Sequence, residues 1–123
     1  MIIGIGVDSI EISRVLKAME KDHFVHRIFS EREIDQLDST KRRAASDFAG
    51  KEAVVKALGT GFLGIQAAEV EILRDEKGAP YVILEGAAKK LAEEMGITNW
   101  KISITNTKDV ATAFVVALSQ GDL

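Results

Sequence analysis

Residues 41–64, KRRAASDFAGKEAVVKALGTGFLG, decide the fold. Ala45, Phe48 and Ala49 recur at helical spacing, and Gly59 can take the left-handed conformation that ends a helix, so the spacing predicts a helix from about Lys41 to Leu58. Counting on by the i, i+3, i+4, i+7 rule, the next position on that face is Glu52. A carboxylate therefore interrupts the apolar stripe, and an ionised carboxylate on a buried face needs a cation or hydrogen-bond donors to offset its desolvation. Two readings stay open. Glu52 and Lys56, four residues on, form a surface pair that contributes a few tenths of a kcal/mol to the helix; or Glu52 is a metal ligand.

Toward the N-terminus, Met1–Val7 (MIIGIGV) reads as a mostly buried strand whose two glycines let its backbone come close to something, with Asp8 at its end. Ile12, Val15, Leu16 and Met19 then repeat as a first helix, for which Asp8 or Ser9 serves as N-cap. Ser30-Glu31-Arg32-Glu33 is a capping box that opens a second short helix running to about Leu37. Between them His23 and His26 fall in a loop or helix end, where surface histidines are the expected reading.

Toward the C-terminus, Val70–Leu73 and Tyr81–Leu84 read as strands joined by the turn Asp75-Glu76-Lys77-Gly78. Ala88, Leu91, Ala92 and Met95 form a helix that Gly96 stops. Trp100, Ile102 and Ile104 alternate with polar residues, and Val110–Leu118 is apolar on both faces, so two more strands pair across Asn106–Asp109 and the last should be central or covered. The order strand, three helices, hairpin, helix, hairpin predicts one α+β domain over residues 1–123, its helices packed on a small, largely antiparallel sheet.

Composition narrows the function. Sixteen basic and nineteen acidic residues give a net charge of −3, which argues against a protein that coats nucleic acid. With no cysteine and two histidines, disulfide scaffolds, thiol nucleophiles and multi-histidine zinc sites fall away, leaving carboxylate metal chemistry. No basic region precedes the apolar opening and no uncharged stretch reaches the roughly 18–20 residues that span a bilayer, so a soluble cytoplasmic protein with no membrane partner is expected. Asp8 and Glu52 together could share a hard cation such as Mg²⁺, which prefers oxygen ligands and keeps waters for a phosphate substrate. Gly59-Thr60-Gly61, with Gly64, follows Lys51 and Lys56 and has the composition of a phosphate-approaching loop, although a C-capping glycine explains the same letters. Arg14, Lys17 and Lys21 fall at i, i+3, i+7 on the first helix, with Arg27 beyond: a solvated face, or a dock for an acidic partner.

Four stretches carry a resemblance: GIGVDSIEISRV (4–15), RIFSEREI (27–34), FAGKEAVVKALGTG (48–61) and KISITNTKDVATAFVV (101–116). With the Gly78-Ala79-Pro80 hairpin they resemble, in order and over nearly the whole chain, the holo-acyl carrier protein synthases, the small type of 4′-phosphopantetheinyl transferase. The resemblance implies Mg²⁺-dependent transfer of the phosphopantetheine arm from coenzyme A to a serine of apo acyl carrier protein, releasing adenosine 3′,5′-bisphosphate. It places the metal on Asp8 and Glu52, makes Asp8, Glu52 and Lys56 the catalytic set, and gives a water oriented by the metal or by Glu52 as base. It puts Lys51, Lys56, Gly59, Gly61, Ser103, Asn106 and Thr107 against the coenzyme, and Arg14, Lys17, Lys21 and Arg27 against an acidic carrier. It further implies a homotrimer whose sites lie at subunit boundaries, Asp8 from one chain and Glu52 from another. Two positions depart from the family: Asp47 stands where many relatives have a basic residue, and Asn106 where many have histidine. Contacts to the coenzyme A phosphates are then expected to be fewer or to come from Lys41, the neighbourhood of Arg42 or Lys108, with Arg42 and Arg43, one helical turn earlier, as the substitutes. The alternative is a binding module that holds coenzyme A or the carrier without catalysis.

Overall fold

The computed structural model describes residues 1–120. The chain runs β1 (Ile2–Glu11), α1 (Ile12–Ala18), α2 (Asp22–Ile28), α3 (Glu31–Asp35), α4 (Arg42–Leu58), a single 3-10 turn (Ala67–Glu69), β2 (Val70–Arg74), β3 (Pro80–Leu84), α5 (Gly86–Glu94), β4 (Asn99–Asn106) and β5 (Val110–Leu118). β1, β5 and β4 form one antiparallel sheet with β5 in the middle, as its apolar run requires, and β2 and β3 pair as a separate hairpin. Ala111, Ala113, Val115 and Ala117 of β5 are buried in the core.

α4 is buried on nearly all sides because its residues are small. Ala44, Ala45, Ala49, Gly50, Ala53 and Ala57 let it lie close against the strands, where Val54 and Val55 join the main core with Ile72 and Val115. The first three helices cover its N-terminal half, Ile12, Val15, Met19 and Phe29 closing on Ala44 and Ala45. Gly59 ends it at φ 82°, as the sequence predicts.

The closest approach is between backbones. A Cβ on Gly6 would overlap the carbonyl oxygen of Ala53, and one on Gly4 that of Ala57. Gly6→Ala is therefore expected to cost about 3 kcal/mol, at the upper end of overpacking, because main chain rather than a flexible side chain stands in the way. Urea unfolding measures it, and a loss below about 1 kcal/mol would mean that β1 and α4 separate freely.

The structure corrects several sequence expectations. β1 does not stop at Val7 but continues to Glu11, so Asp8 lies inside the strand, and α1 takes Glu11 as an N-cap without a side-chain bond. β1 is half open to solvent rather than mostly buried, with Ile2, Ile5 and Val7 exposed. Four helices precede the first hairpin, not three, because the segment with His23 and His26 is α2. Lys21 is the residue preceding α2 and does not continue α1. The capping box stands: Glu33 N–H donates to Ser30 Oγ and Ser30 N–H to Glu33 Oε1.

Candidate active site

In β1, residues of one parity, Gly4, Gly6 and Asp8, face α4. On α4, Glu52 and Lys56 are one turn apart on the flank of the Ala53–Ala57 contact. The Lys56 ammonium donates to Val7 O at 3.0 Å and to Asp8 Oδ1 at 3.2 Å. Burial pushes the half-buried Glu52 carboxyl above the usual range, the charge of Asp8 pushes it further, and Lys56 opposes both. Within this one chain Lys56 reaches Asp8, and the charges of Asp8 and Lys56 both act on Glu52. Among the described residues no group of three or more His, Cys, Asp and Glu side chains gathers. The donor set is two carboxylates that repel each other: it suits a hard divalent cation whose other positions go to water or phosphate oxygens.

Beside Glu52 opens a cleft of about 510 Å³, walled by Ile28, Phe48 and Phe62 with Arg27 and Gln66 at its polar edge. Phe48 stacks on Phe24, ring centroids 6.3 Å apart, and Phe24 meets Phe29 edge-on. Thus α2, hidden in the sequence, brings Arg27 to the cleft that Glu52 lines and packs Phe24 on Phe48 in its wall. Arg14 and Lys17 are exposed on α1, so the four cations do not form one helical stripe.

Lys51 behaves differently from its expected place against the coenzyme. It is fully buried, and its ammonium donates to Glu33 Oε1 at 2.7 Å, Ala67 O at 2.9 Å and Val70 O at 2.6 Å, leaving no donor for a phosphate. Glu33 Oε2 accepts in turn from Ile72 N–H at 2.9 Å. This pair joins α3, α4, the 3-10 turn and β2 directly behind Glu52. Glu71 lies nearby: burial pushes its carboxyl up, but hydrogen bonds from Arg32 and Ser30, and the charge of Arg32, hold it below the usual range.

A second cleft of about 370 Å³ is polar, lined by Arg42, Arg43, Ser46, Arg74 and Asn106 among others. Asn106 Nδ2 donates to Ser46 Oγ at 2.8 Å, and Arg42 Nη2 donates to Lys108 O at 2.8 Å, tying the β4–β5 turn to the start of α4. Thr107 Oγ1 accepts from Val110 N–H and shapes that turn, whereas Ser103 is exposed on β4 with the opposite parity to Ile104 and Asn106. Gly59 and Gly61 have positive φ in the loop after α4. Sequence reasoning missed Arg74, Phe62 and the burial of Lys51 and Asp47; a charged residue on a helix of small apolar residues was the available signal for the last two.

Residues 4–115 match the family model of the 4′-phosphopantetheinyl transferase superfamily. The chain belongs to that superfamily, a class of transferases. It is 52% identical over 116 residues to the holo-(acyl-carrier-protein) synthase of Lachnoclostridium phytofermentans, covering 94% of this chain and 95% of that one. The crystal structure of holo-(acyl-carrier-protein) synthase from Neisseria meningitidis superposes with a TM-score of 0.87 at 33% identity, covering 97% of this chain and all of the other. That of the Helicobacter pylori synthase in complex with coenzyme A superposes at 0.80 with 30% identity, covering 93% and 99%. Within the superfamily the chain is an enzyme of the holo-(acyl-carrier-protein) synthase type. No helix of the described residues is long and apolar enough to cross a membrane.

Proposed function

We propose that this chain transfers the 4′-phosphopantetheine arm of coenzyme A to a serine of apo acyl carrier protein, with Mg²⁺ as cofactor. The observation that carries this reading is the approach of Asp8 and Lys56 to Glu52, which lines the Phe48–Phe62 cleft. The serine oxygen forms a bond to the β-phosphorus of the coenzyme, the bond from that phosphorus to the bridging oxygen breaks, and adenosine 3′,5′-bisphosphate departs with the bridging oxygen. Asp8 and Glu52 would hold Mg²⁺, which when bound supplies charge neutralisation to the diphosphate. Lys56, already placed on Asp8, offsets phosphate charge from the other side. A water oriented by Glu52 is placed to take the serine proton. The apolar walls of the cleft exclude bulk water from the arm. The turn from Asn106 to Thr107 and the Arg42–Arg43 cleft take the nucleotide end.

The carrier docks, in this reading, on the exposed cations Arg14 and Lys17 of α1 and Lys21, with Arg27 at the cleft. Arg14→Glu should raise KM for the carrier severalfold and leave KM for coenzyme A unchanged; if both move together, this face serves something else. A homotrimer fits the apolar surface on β1 and β5, where Ile5, Val7 and Phe114 are exposed and Val7 pairs with Phe114. Sedimentation velocity that finds only monomer would remove that part.

Intact-mass spectrometry tests the transfer. An apo acyl carrier protein incubated with this chain, coenzyme A and Mg²⁺ should gain one phosphopantetheine arm, and EDTA should abolish the gain. No gain with several carriers, alongside measurable coenzyme A binding, would move the assignment to a non-catalytic binding module.

A further inference from the structure

Arg74 ends β2 with its side chain nine-tenths buried, yet its Nη1 makes no hydrogen bond among the described residues. The only charge it meets there is Asp47: Oδ1 lies 2.8 Å away, off the line of a hydrogen bond, and is itself without a hydrogen-bond partner. Asp47 is buried on α4, with 1% of its side chain exposed, so it can neither be solvated nor turn away. An ion pair this dry and this poorly aligned is weak evidence for stability, since desolvation offsets its attraction. Its location is more informative. Arg74 lines the polar cleft with Arg42 and Arg43, and both of these are pinned by main-chain oxygens, Arg42 by Thr107 and Lys108 and Arg43 by Gln36.

Three guanidinium groups converge on a cavity of about 370 Å³ that holds one lining carboxylate, Asp38. Thr40 Oγ1 already donates to Asp38, and the Arg43 backbone N–H reaches it too. Each guanidinium is a planar fork suited to paired phosphate oxygens. The chemistry recognised is a terminal phosphate monoester, a doubly charged group that can take donors from several arginines at once.

We infer that Arg74 is the specificity-determining cation for the 3′-phosphate of the nucleotide, and that Asp47 behind it holds the guanidinium at the cleft while moderating its grip. This rests on the reading of coenzyme A as substrate. It also accounts for an acid at position 47, since the charge delivered to the cleft comes from β2 and α4 supplies its counter-charge. Loss of Arg74 removes phosphate discrimination. Neutralising Asp47 removes that counter-charge and tightens the discrimination.

Calorimetric titration reads this without turnover. The ligands are adenosine 3′,5′-bisphosphate, adenosine 5′-monophosphate and inorganic phosphate, titrated into the full chain. The unaltered protein should bind the bisphosphate about 10- to 100-fold more tightly than the monophosphate, the range of charge-assisted hydrogen bonds. Asp47→Asn should widen that ratio. Arg74→Met/Asp47→Asn, which removes both charges and so leaves no buried ion unpaired, should collapse the ratio toward one with little change for the monophosphate; Arg74→Lys should keep part of it. Equal binding of both nucleotides by the unaltered protein, or a ratio untouched in the double variant, overturns the proposal. Inorganic phosphate binding as tightly as the bisphosphate would also overturn it, by making the cleft a free-phosphate site. Because these are binding measurements, failure of phosphopantetheine transfer in the mass assay would leave them decisive.

Discussion

Glu52→Gln should abolish most of the transfer activity while the protein stays folded. The substitution keeps the shape of the side chain and removes one of two carboxylates that would hold the cation, so the loss should approach the several kcal/mol such an ion supplies, on the order of 10²–10³-fold in rate. The circular dichroism spectrum should be unchanged. Relative to the unaltered protein, stability should rise slightly at pH above the raised folded pKa of Glu52: what that carboxyl contributes is lost as pH rises through its folded pKa, and a neutral side chain escapes that loss. Initial rates by intact mass, with Mg²⁺ varied, check the first claim, and urea unfolding at mildly acidic and mildly alkaline pH checks the second. A fully retained rate would remove Glu52 from the mechanism.

Lys51→Met should have the largest effect on stability, about 3–5 kcal/mol, because it strands Glu33 in the interior without its cation. Two main-chain oxygens, of Ala67 and Val70, also lose their donor. Adding Glu33→Gln should recover part of the loss, since the buried negative charge is gone while the amide oxygen can still accept from Ile72 or Ser30. Denaturant midpoints for the single and double variants decide it. A cost under about 1 kcal/mol for Lys51→Met would show that water reaches the pair in solution.

Much of this architecture was legible in the sequence because its signals are local. The Ser30–Glu33 capping box, the glycine that ends α4, the Asp75–Gly78 turn and the two-faced apolar run of β5 each need only a few neighbouring residues to declare themselves. α2 lacks such a signal: it has seven residues, no side-chain cap, and apolar positions that only partly surround a helical face. The end of β1 was hidden for another reason. Asp8, Ser9 and Glu11 lie on an edge strand, where polar residues are at home, and Ser9 is held by a hydroxyl contact to Thr112 that sequence cannot anticipate.

For the site, the oddity of Glu52 came from helical period alone, and Asp8 from its place after an apolar run. What stayed hidden was pairing over distance. Lys51 meets Glu33, and Asp47 meets Arg74, across different elements, so a lysine beside Glu52 read as a phosphate ligand when it is a structural cation. Asp47 read as a departure from the family, whereas it stands behind an arginine that the linear spacing gave no cause to notice.

The glycine-to-alanine contact between β1 and α4 has a consequence for how the protein tolerates change. Asp8 is borne by one of these elements and Glu52 and Lys56 by the other, and what separates the elements is main chain touching main chain. Their spacing is therefore not the sum of many side-chain fits that drift when one residue is exchanged. Substitutions in the second layer of the interior will thin the population of folded molecules while leaving each surviving molecule working at its original rate. Variation can accumulate there under a catalytic gauge that it does not reset.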